Sequence, residues 1–318
     1  MAEIEHVGKD RDVYQQFARL YDEIHKKIVG NEEVVECILI ALLCDGHVLL
    51  ESVPGMGKTM LAKTISKTLN CEFKRIQGTP DLTATDITGK LTYDDKKDTY
   101  SLRKGPAFTN ILLVDEINRA PPRTQAALLE VMEEKKVTLG GVSYELPKPF
   151  IVLATENPVE QEGVYPLPEA QKDRFLFKVV MEYLSTEEEA AIVKTKLRTE
   201  KVHSIFNPAE ILILRKEAKE SVTIDESIVD YMIRIVDETR NRREFQTGAS
   251  PRASIAFMNT SKAKVFLEGR NNVTTADIRR LAYPILRHRV ILNPEFMEMR
   301  VTAEDVIKKI LDKIEAPI

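Results

Sequence analysis

An α/β domain followed by a smaller helical domain is the architecture this sequence predicts, and three observations predict it. Apolar runs such as Val48-Leu49-Leu50 and Ile111-Leu112-Leu113-Val114 end at glycine-rich or acidic residues, the pattern of buried parallel strands whose carboxyl ends open onto a site. Segments with helical spacing alternate with those runs. From Ser185 onward strand signals give way to repeated helix starts, which sets the expected boundary between an α/β domain at 1–185 and a helical one at 186–318. The 318 residues, 43% hydrophobic and 30% charged, are enough for both.

Residues 11 to 27 carry Val13, Phe17, Leu20 and Ile24 at spacings of three and four, which predicts an amphipathic helix. It ends at Ile28-Val29-Gly30-Asn31, a turn before the helix through Cys37. Val29 and Gly30 are expected at the edge of a base pocket, because the motif that follows is Ser52-Val53-Pro54-Gly55-Met56-Gly57-Lys58-Thr59, set where a buried strand turns into a helix. A phosphate-binding loop needs that setting. The glycines let successive backbone N–H groups face phosphate oxygens, the helix start adds its positive dipole end, Lys58 reaches the β/γ-phosphates and Thr59 offers a hydroxyl to Mg²⁺. Pro54, Gly55, Met56, Gly57, Lys58, Thr59 and Met60 are the expected nucleotide contacts. Ser52 stands where such loops usually begin with glycine.

Glu72-Phe73-Lys74-Arg75-Ile76 alternates like a strand, and Lys90–Tyr93 and Tyr100–Arg103 flank the polar Asp94–Asp98 as a hairpin. The run from Ile111 ends in Asp115-Glu116. Asp115 is expected to hold Mg²⁺ through its water shell, and Glu116 to orient and deprotonate the water that attacks the γ-phosphate. Thr124–Glu134 reads as a helix, and Gly140-Gly141 centres a second hairpin over Val137–Leu146. The strand Phe150–Thr155 then ends at Glu156-Asn157-Pro158. Asn157 is placed to hydrogen-bond the attacking water and the γ-phosphate; a plain turn before Pro158 is the alternative.

Residues 160 to 174 read as a loop ending in Asp173-Arg174, ahead of the strand Phe175–Val180. Arg174 cannot easily reach its own phosphates from there but can reach a neighbour's; an ion pair with Asp173 is the plainer reading. In the helical region Thr186-x-x-Glu189 resembles a capping box, and Asn207-Pro208, Ser250-Pro251, Thr274 and Thr302 start further helices, about five in all. Arg252 falls in a first turn, where a cation is mildly disfavoured, so an anion is expected outside that helix.

Formal net charge is −4, which calls for neither nucleic acid nor an anionic membrane. The longest apolar run, Cys37–Cys44, is far short of the roughly 20 residues that span a bilayer, and no export signal opens the chain, so the expected location is the cytoplasm. Cys37 and Cys44, seven residues apart on one helical face, suit packing better than bridging, and the five histidines lack metal-ligand spacing.

The ordered set of Ser52–Thr59, Leu112–Glu116, Asn157, Arg174 and Arg252, followed by helices, resembles an AAA+ ATPase. More closely, Gly46–Glu51, Asp115–Pro122, Leu167–Gln171 with Asp173–Phe175, and Gly248–Arg252 resemble the MoxR family. The resemblance implies an αβα P-loop NTPase domain with a parallel five-stranded core sheet and two inserted β-hairpins, then an all-α lid. It implies that Lys58 and Thr59 act as Walker A, Asp115 and Glu116 as Walker B and Asn157 as sensor 1. It further makes Arg174 an arginine finger acting on the adjacent subunit and Arg252 a sensor 2 holding the γ-phosphate. ATP/ADP and Mg²⁺ are the implied ligands, in a ring that is usually hexameric. The implied work is remodelling or maturation of client proteins, often with von Willebrand factor A-domain partners and sometimes to insert a metal or cofactor. Two other classes compete with this reading. A nucleic-acid motor would share the hairpins, but their tips are not strongly basic. A binding module without turnover would not need Glu116 and Asn157.

Overall fold

Five apolar runs lie side by side as a parallel sheet, and the helices are placed by it. The computed structural model describes residues 2–94, 98–159, 163–196 and 200–317. The chain opens with α1 (Ala2–His25) and α2 (Glu32–Leu43), then passes through β1 (Val48–Ser52), α3 (Lys58–Thr68) and β2 (Phe73–Gln77). A short α4 (Ala84–Thr88) precedes the hairpin of β3 (Gly89–Asp94) and β4 (Thr99–Lys104), after which β5 (Ile111–Asp115) rejoins the sheet. Next come α5 (Pro122–Glu134), the second hairpin of β6 (Lys136–Leu139) and β7 (Val142–Glu145), then β8 (Ile151–Glu156), α6 (Glu169–Lys172) and β9 (Phe177–Met181). The remainder is mostly helical, with α7 (Thr186–Lys196), α8 (Pro208–Ser221), α9 (Glu226–Arg240), α10 (Pro251–Leu267), α11 (Thr275–Leu286), α12 (Pro294–Glu298) and α13 (Ala303–Lys313).

The sheet runs β2-β5-β8-β1-β9 with every pair parallel. Its central strands are apolar on both faces because both faces are covered. Side chains alternate between two cores: Val48, Leu50, Ile111, Leu113, Ile151 and Leu153 join one, and Leu49, Leu112, Val114, Val152 and Ala154 the other. The first core continues without a break through α2 into Leu214, Phe257, Ile278 and Ile310 of the later helices. Polar contacts reinforce that junction. Arg215 donates to the Leu42 carbonyl at 2.6 Å and pairs with Asp45, while Arg280 pairs with Glu36 of α2 at 2.7 Å.

Both inserted hairpins form, with register Leu91↔Leu102 in one and Val137↔Tyr144 in the other. Gly140 and Gly141 turn the second at φ 58° and 79°, conformations that glycine adopts without strain. The tip of the first was expected at Asp94–Asp98; residues 95–97 lie outside the described residues.

Helix starts follow the capping chemistry, with one shift. Asn207 with Glu210, Thr274 with Asp277 and Thr302 with Asp305 form reciprocal capping boxes. At α7 the box is Ser185 with Glu188, not Thr186 with Glu189: the Ser185 N–H donates to Glu188 Oε2 at 2.8 Å and the Glu188 N–H to Ser185 Oγ at 3.3 Å. The first helix begins at Ala2, ahead of the expected residue 11. β9 begins at Phe177 instead of Phe175, because the Phe175 carbonyl accepts from His288 and Arg289 and not from the sheet. The short ladder of β10 (Phe245–Thr247) and β11 (Ile291–Leu292) has too few residues for any periodicity to announce it. Cys37 is buried, and the Cys44 thiol donates to the Asn259 carbonyl at 3.4 Å.

Two buried histidines join layers. His47 Nδ1 accepts the Val152 N–H at 3.0 Å, so its proton sits on Nε2 and is donated to the Met132 carbonyl at 3.0 Å. Burial pushes the His47 imidazole down to about 4, and burial likewise holds His288 well below its ordinary value. Unfolded, each takes a proton near pH ~6.5; folded, His47 takes one only near 4, and His288 only well below its ordinary value. The unfolded chain therefore binds more protons below about pH 6.5, and stability falls as pH drops, by up to about 1.4 kcal/mol per pH unit for each histidine. Urea unfolding should show a lower midpoint at about pH 5 than at about pH 7.5, and His47→Gln should narrow that gap.

Candidate active site

The phosphate loop leaves β1 at Ser52 and enters α3 at Lys58, as the residue types require. Gly55 and Gly57 sit at φ 89° and 77°, where an L side chain would be strained, and open space surrounds both. Lys58 Nζ turns back over the loop, donating to the Val53 carbonyl at 3.2 Å with Ser52 Oγ at 3.4 Å. Partial burial lowers its pKa, against the raising effect of Asp115 and Glu116. Ser52 is the last residue of β1, pairs with Met181 and has no positive φ, so the backbone there does not need glycine. That accounts for the departure from the usual loop pattern.

Pro54, Gly55, Met56, Gly57, Lys58 and Thr59 line a cavity of about 270 Å³ together with Asp115, Glu116, Thr155, Arg75 and Gln77. Strand order brings these together, since the carboxyl ends of β1, β5 and β8 open side by side. Asp115 is buried, with Thr155 Oγ1 3.5 Å from one carboxylate oxygen and Arg75 Nε donating to the other at 2.6 Å. The Glu116 N–H donates to Thr155 Oγ1 at 2.9 Å, and Glu116 takes φ 54°, which aims its half-exposed carboxylate toward Arg119 at 3.3 Å. Gly78 packs on this bend so closely that a Cβ would lie 2.1 Å from the Glu116 carbonyl oxygen. Sequence reasoning did not single out Arg75, Gln77 or Thr155. Arg75 lies within the alternating strand beside Asp115, but that neighbourhood is known only once β2 is seen next to β5.

Other expected residues fall elsewhere. Asn157 is buried past the end of β8, and its Oδ1 accepts the Val159 N–H at 3.1 Å, so the turn role is present. Val29, Gly30 and Met60 do not line the cavity; Gly30, at φ 67°, backs onto Leu184 and Glu188, and Met60 is 52% exposed on α3.

Arg252, expected to hold a γ-phosphate, does not line the cavity of its own loop. It lies with Arg174 in a second cavity, also of about 270 Å³, lined by Asp45 and Gly46 ahead of β1. β1 spans about 16 Å between the two sites. Glu133, at the end of α5, joins the arginines: one carboxylate oxygen lies 3.0 Å from Arg174 and the other 3.6 Å from Arg252. The anion outside the first turn of α10 is thus, within one chain, a carboxylate. Asp173 is 4.0 Å from Arg252 and takes the buried Arg289 at 2.8 Å. Burial pulls Arg289 down to about 10, opposed by Asp173, which leaves it charged at neutral pH.

A glycine-turned phosphate loop facing paired acids at the end of β5, two strands away in the sheet, in a chain that continues into a helical lid, defines an AAA+ nucleoside triphosphatase. Residues 47–177 match the ATPase family associated with various cellular activities (AAA), and residues 237–310 match the AAA lid domain. Chaperone MoxR1 of Mycobacterium tuberculosis is 39% identical, over 93% of this chain and 81% of its own. YeaC of Bacillus subtilis is 42% identical over 96% and 97%. A Cytophaga hutchinsonii crystal structure superimposes over 100% of both chains with a TM-score of 0.92 at 38% identity. The chain belongs to the MoxR family of AAA+ ATPases, and it hydrolyses ATP.

Because Ser52 is unstrained and its hydroxyl only grazes Lys58, Ser52→Gly should change ATP affinity by less than about threefold, under 1 kcal/mol. Titration of both proteins with a fluorescent ATP analogue would measure it; a tenfold gain would mean that the hydroxyl obstructs the loop.

Proposed function

We propose that this ATPase works as a homo-oligomeric ring, hexameric by its family resemblance, in which Arg174 and Arg252 of one subunit complete the ATP site of the next. The observation that carries the reading is their pairing about Glu133, at the opposite end of β1 from their own phosphate loop. Arginines so placed serve no phosphate of their own chain. The chain is read as an αβα domain, 1–185, and a helical lid, 186–318.

Within each site the loop amides and Lys58 hold the β/γ-phosphates, and Glu116 accepts a proton from the attacking water. Asn157 keeps its oxygen in the turn, which leaves its Nδ2 to donate to the γ-phosphate. The Thr59 hydroxyl and the Asp115 carboxylate form the oxygen donor set that suits Mg²⁺, and they would hold it where it offsets phosphate charge. Arg174 and Arg252 then meet the charge that develops on the transferring group. The lid shares one continuous core with α2, so changes at the arginines are felt through the lid and relayed toward the two hairpins.

The work done is chaperone-like remodelling or maturation of a client protein in the cytoplasm, with a von Willebrand factor A-domain protein as partner and metal or cofactor insertion among its forms. Support comes from the family and from the relative named Chaperone MoxR1. Among the described residues no helix is long and apolar enough to cross a membrane.

The test is ATPase rate per chain against protein concentration, with mass measured in parallel. The rate should rise as the larger species forms. Arg174→Ala should lower it by about 10³-fold or more with ATP binding intact. A flat rate from a monomer, indifferent to Arg174, would reject the shared site. Glu116→Gln should abolish turnover while ATP still binds; an unchanged rate would remove Glu116 as the base.

A further inference from the structure

Arg174 and Arg252 sit on different parts of the fold, one just ahead of β9 and the other in the first turn of α10, so something must set the distance between them. Glu133 touches both but is itself half exposed. The joint behind them is the partly buried Asp173. One of its oxygens, Oδ1, accepts from Arg289 Nε at 2.8 Å; the other, Oδ2, accepts from Ser250 Oγ at 3.1 Å. Ser250 is the N-cap of α10, and its Oγ accepts the N–H of Arg252 at 3.3 Å. The carboxylate adjoining Arg174 therefore grips the cap of the helix that carries Arg252.

Arg289 is what makes this joint stiff. Its side chain is 3% exposed, and all five of its N–H donors have acceptors. Besides Asp173 Oδ1, these are the carbonyls of Leu176 at 3.1 Å, Ile285 at 2.6 Å, Phe175 at 2.7 Å and Asp173 itself at 3.5 Å. Four of the five acceptors lie on the segment 173–176 that holds Arg174, and the fifth lies on α11 of the lid. A guanidinium shared in this way fixes backbone as well as side chain, which a lysine cannot do.

We propose that Arg289 is a positioning residue: through Asp173 and Ser250 it locks Arg174 and Arg252 into one unit, so that a neighbouring subunit's nucleotide meets both arginines at a set spacing. This rests on the shared-site reading above. Losing Arg289 lets the arginines drift apart while leaving the chain's own phosphate loop intact. A displacement of about 1 Å in such groups costs on the order of 10²-fold in rate.

The experiment mixes subunits. Arg289→Gln alone should lower kcat by about 10- to 100-fold, with ATP affinity unchanged within about twofold. Glu116→Gln alone should be inactive but carries intact arginines. An equimolar mixture should recover about a quarter of the wild-type rate, because about one junction in four then pairs a working loop with working arginines. Arg174→Ala mixed with Glu116→Gln is the control. If the control recovers and Arg289→Gln does not, or if Arg289→Gln alone is fully active, Arg289 has no positioning role and the shared site stands. If the control itself fails to recover, the shared site is wrong and the inference falls with it. Should Arg289→Gln not yield a folded chain, Ser250→Ala cuts the other arm of the joint: recovery in the same mixture supports the joint, and full activity alone or no recovery overturns it.

Discussion

The central strands of this protein are covered on both faces, and that constraint governs where chemistry can occur. β1, β5 and β8 have no free surface along their length, so a polar group can work only where a strand begins or ends. The carboxyl ends hold the loop, Asp115, Glu116 and Thr155; the amino ends hold Gly46, Asp173 and Arg174. Each end is a separate polar layer above or below an apolar slab. The two buried histidines belong to the same logic, since they carry polar links between layers only by staying neutral.

Most of the fold was legible because its signals are local. Phosphate loop, acidic strand end, glycine-paired hairpin and capping residues each act over a few neighbours, and, one cap apart, each lies where the residue types placed it. Arg75 and Glu133 were not legible, since their importance comes from strands and helices that adjoin only in space. The shift of the α7 cap from Thr186 to Ser185 has a similar origin: both pairs fit the pattern, and the hydrogen bonds chose one. β9 lost its first two expected residues to a competitor from far along the chain, the donors of His288 and Arg289.

Arg252 shows where motif order stops being informative. Its place after a helix cap agrees with a phosphate-sensing role, but order along the chain does not say whose phosphate. The position of α10 beside the segment from Asp173 to Leu176 puts the arginine at the far end of β1 from its own loop, which is what supports the proposed role on a neighbour's phosphate. Ser52 is the converse case. An apparent defect in the motif is a strand terminus whose backbone never leaves the extended region.

Loop at one end and arginines at the other give each chain a polarity, like a link with a hook and an eye. Two chains related by a two-fold axis would set like against like, hook on hook. Joining hook to eye demands a head-to-tail contact, which repeats until it either closes or runs on as a filament. If a neighbour's arginines complete each site as proposed, the chain at one end of an open row keeps a loop that no arginine visits, and closing the circle would add one working site without adding a subunit.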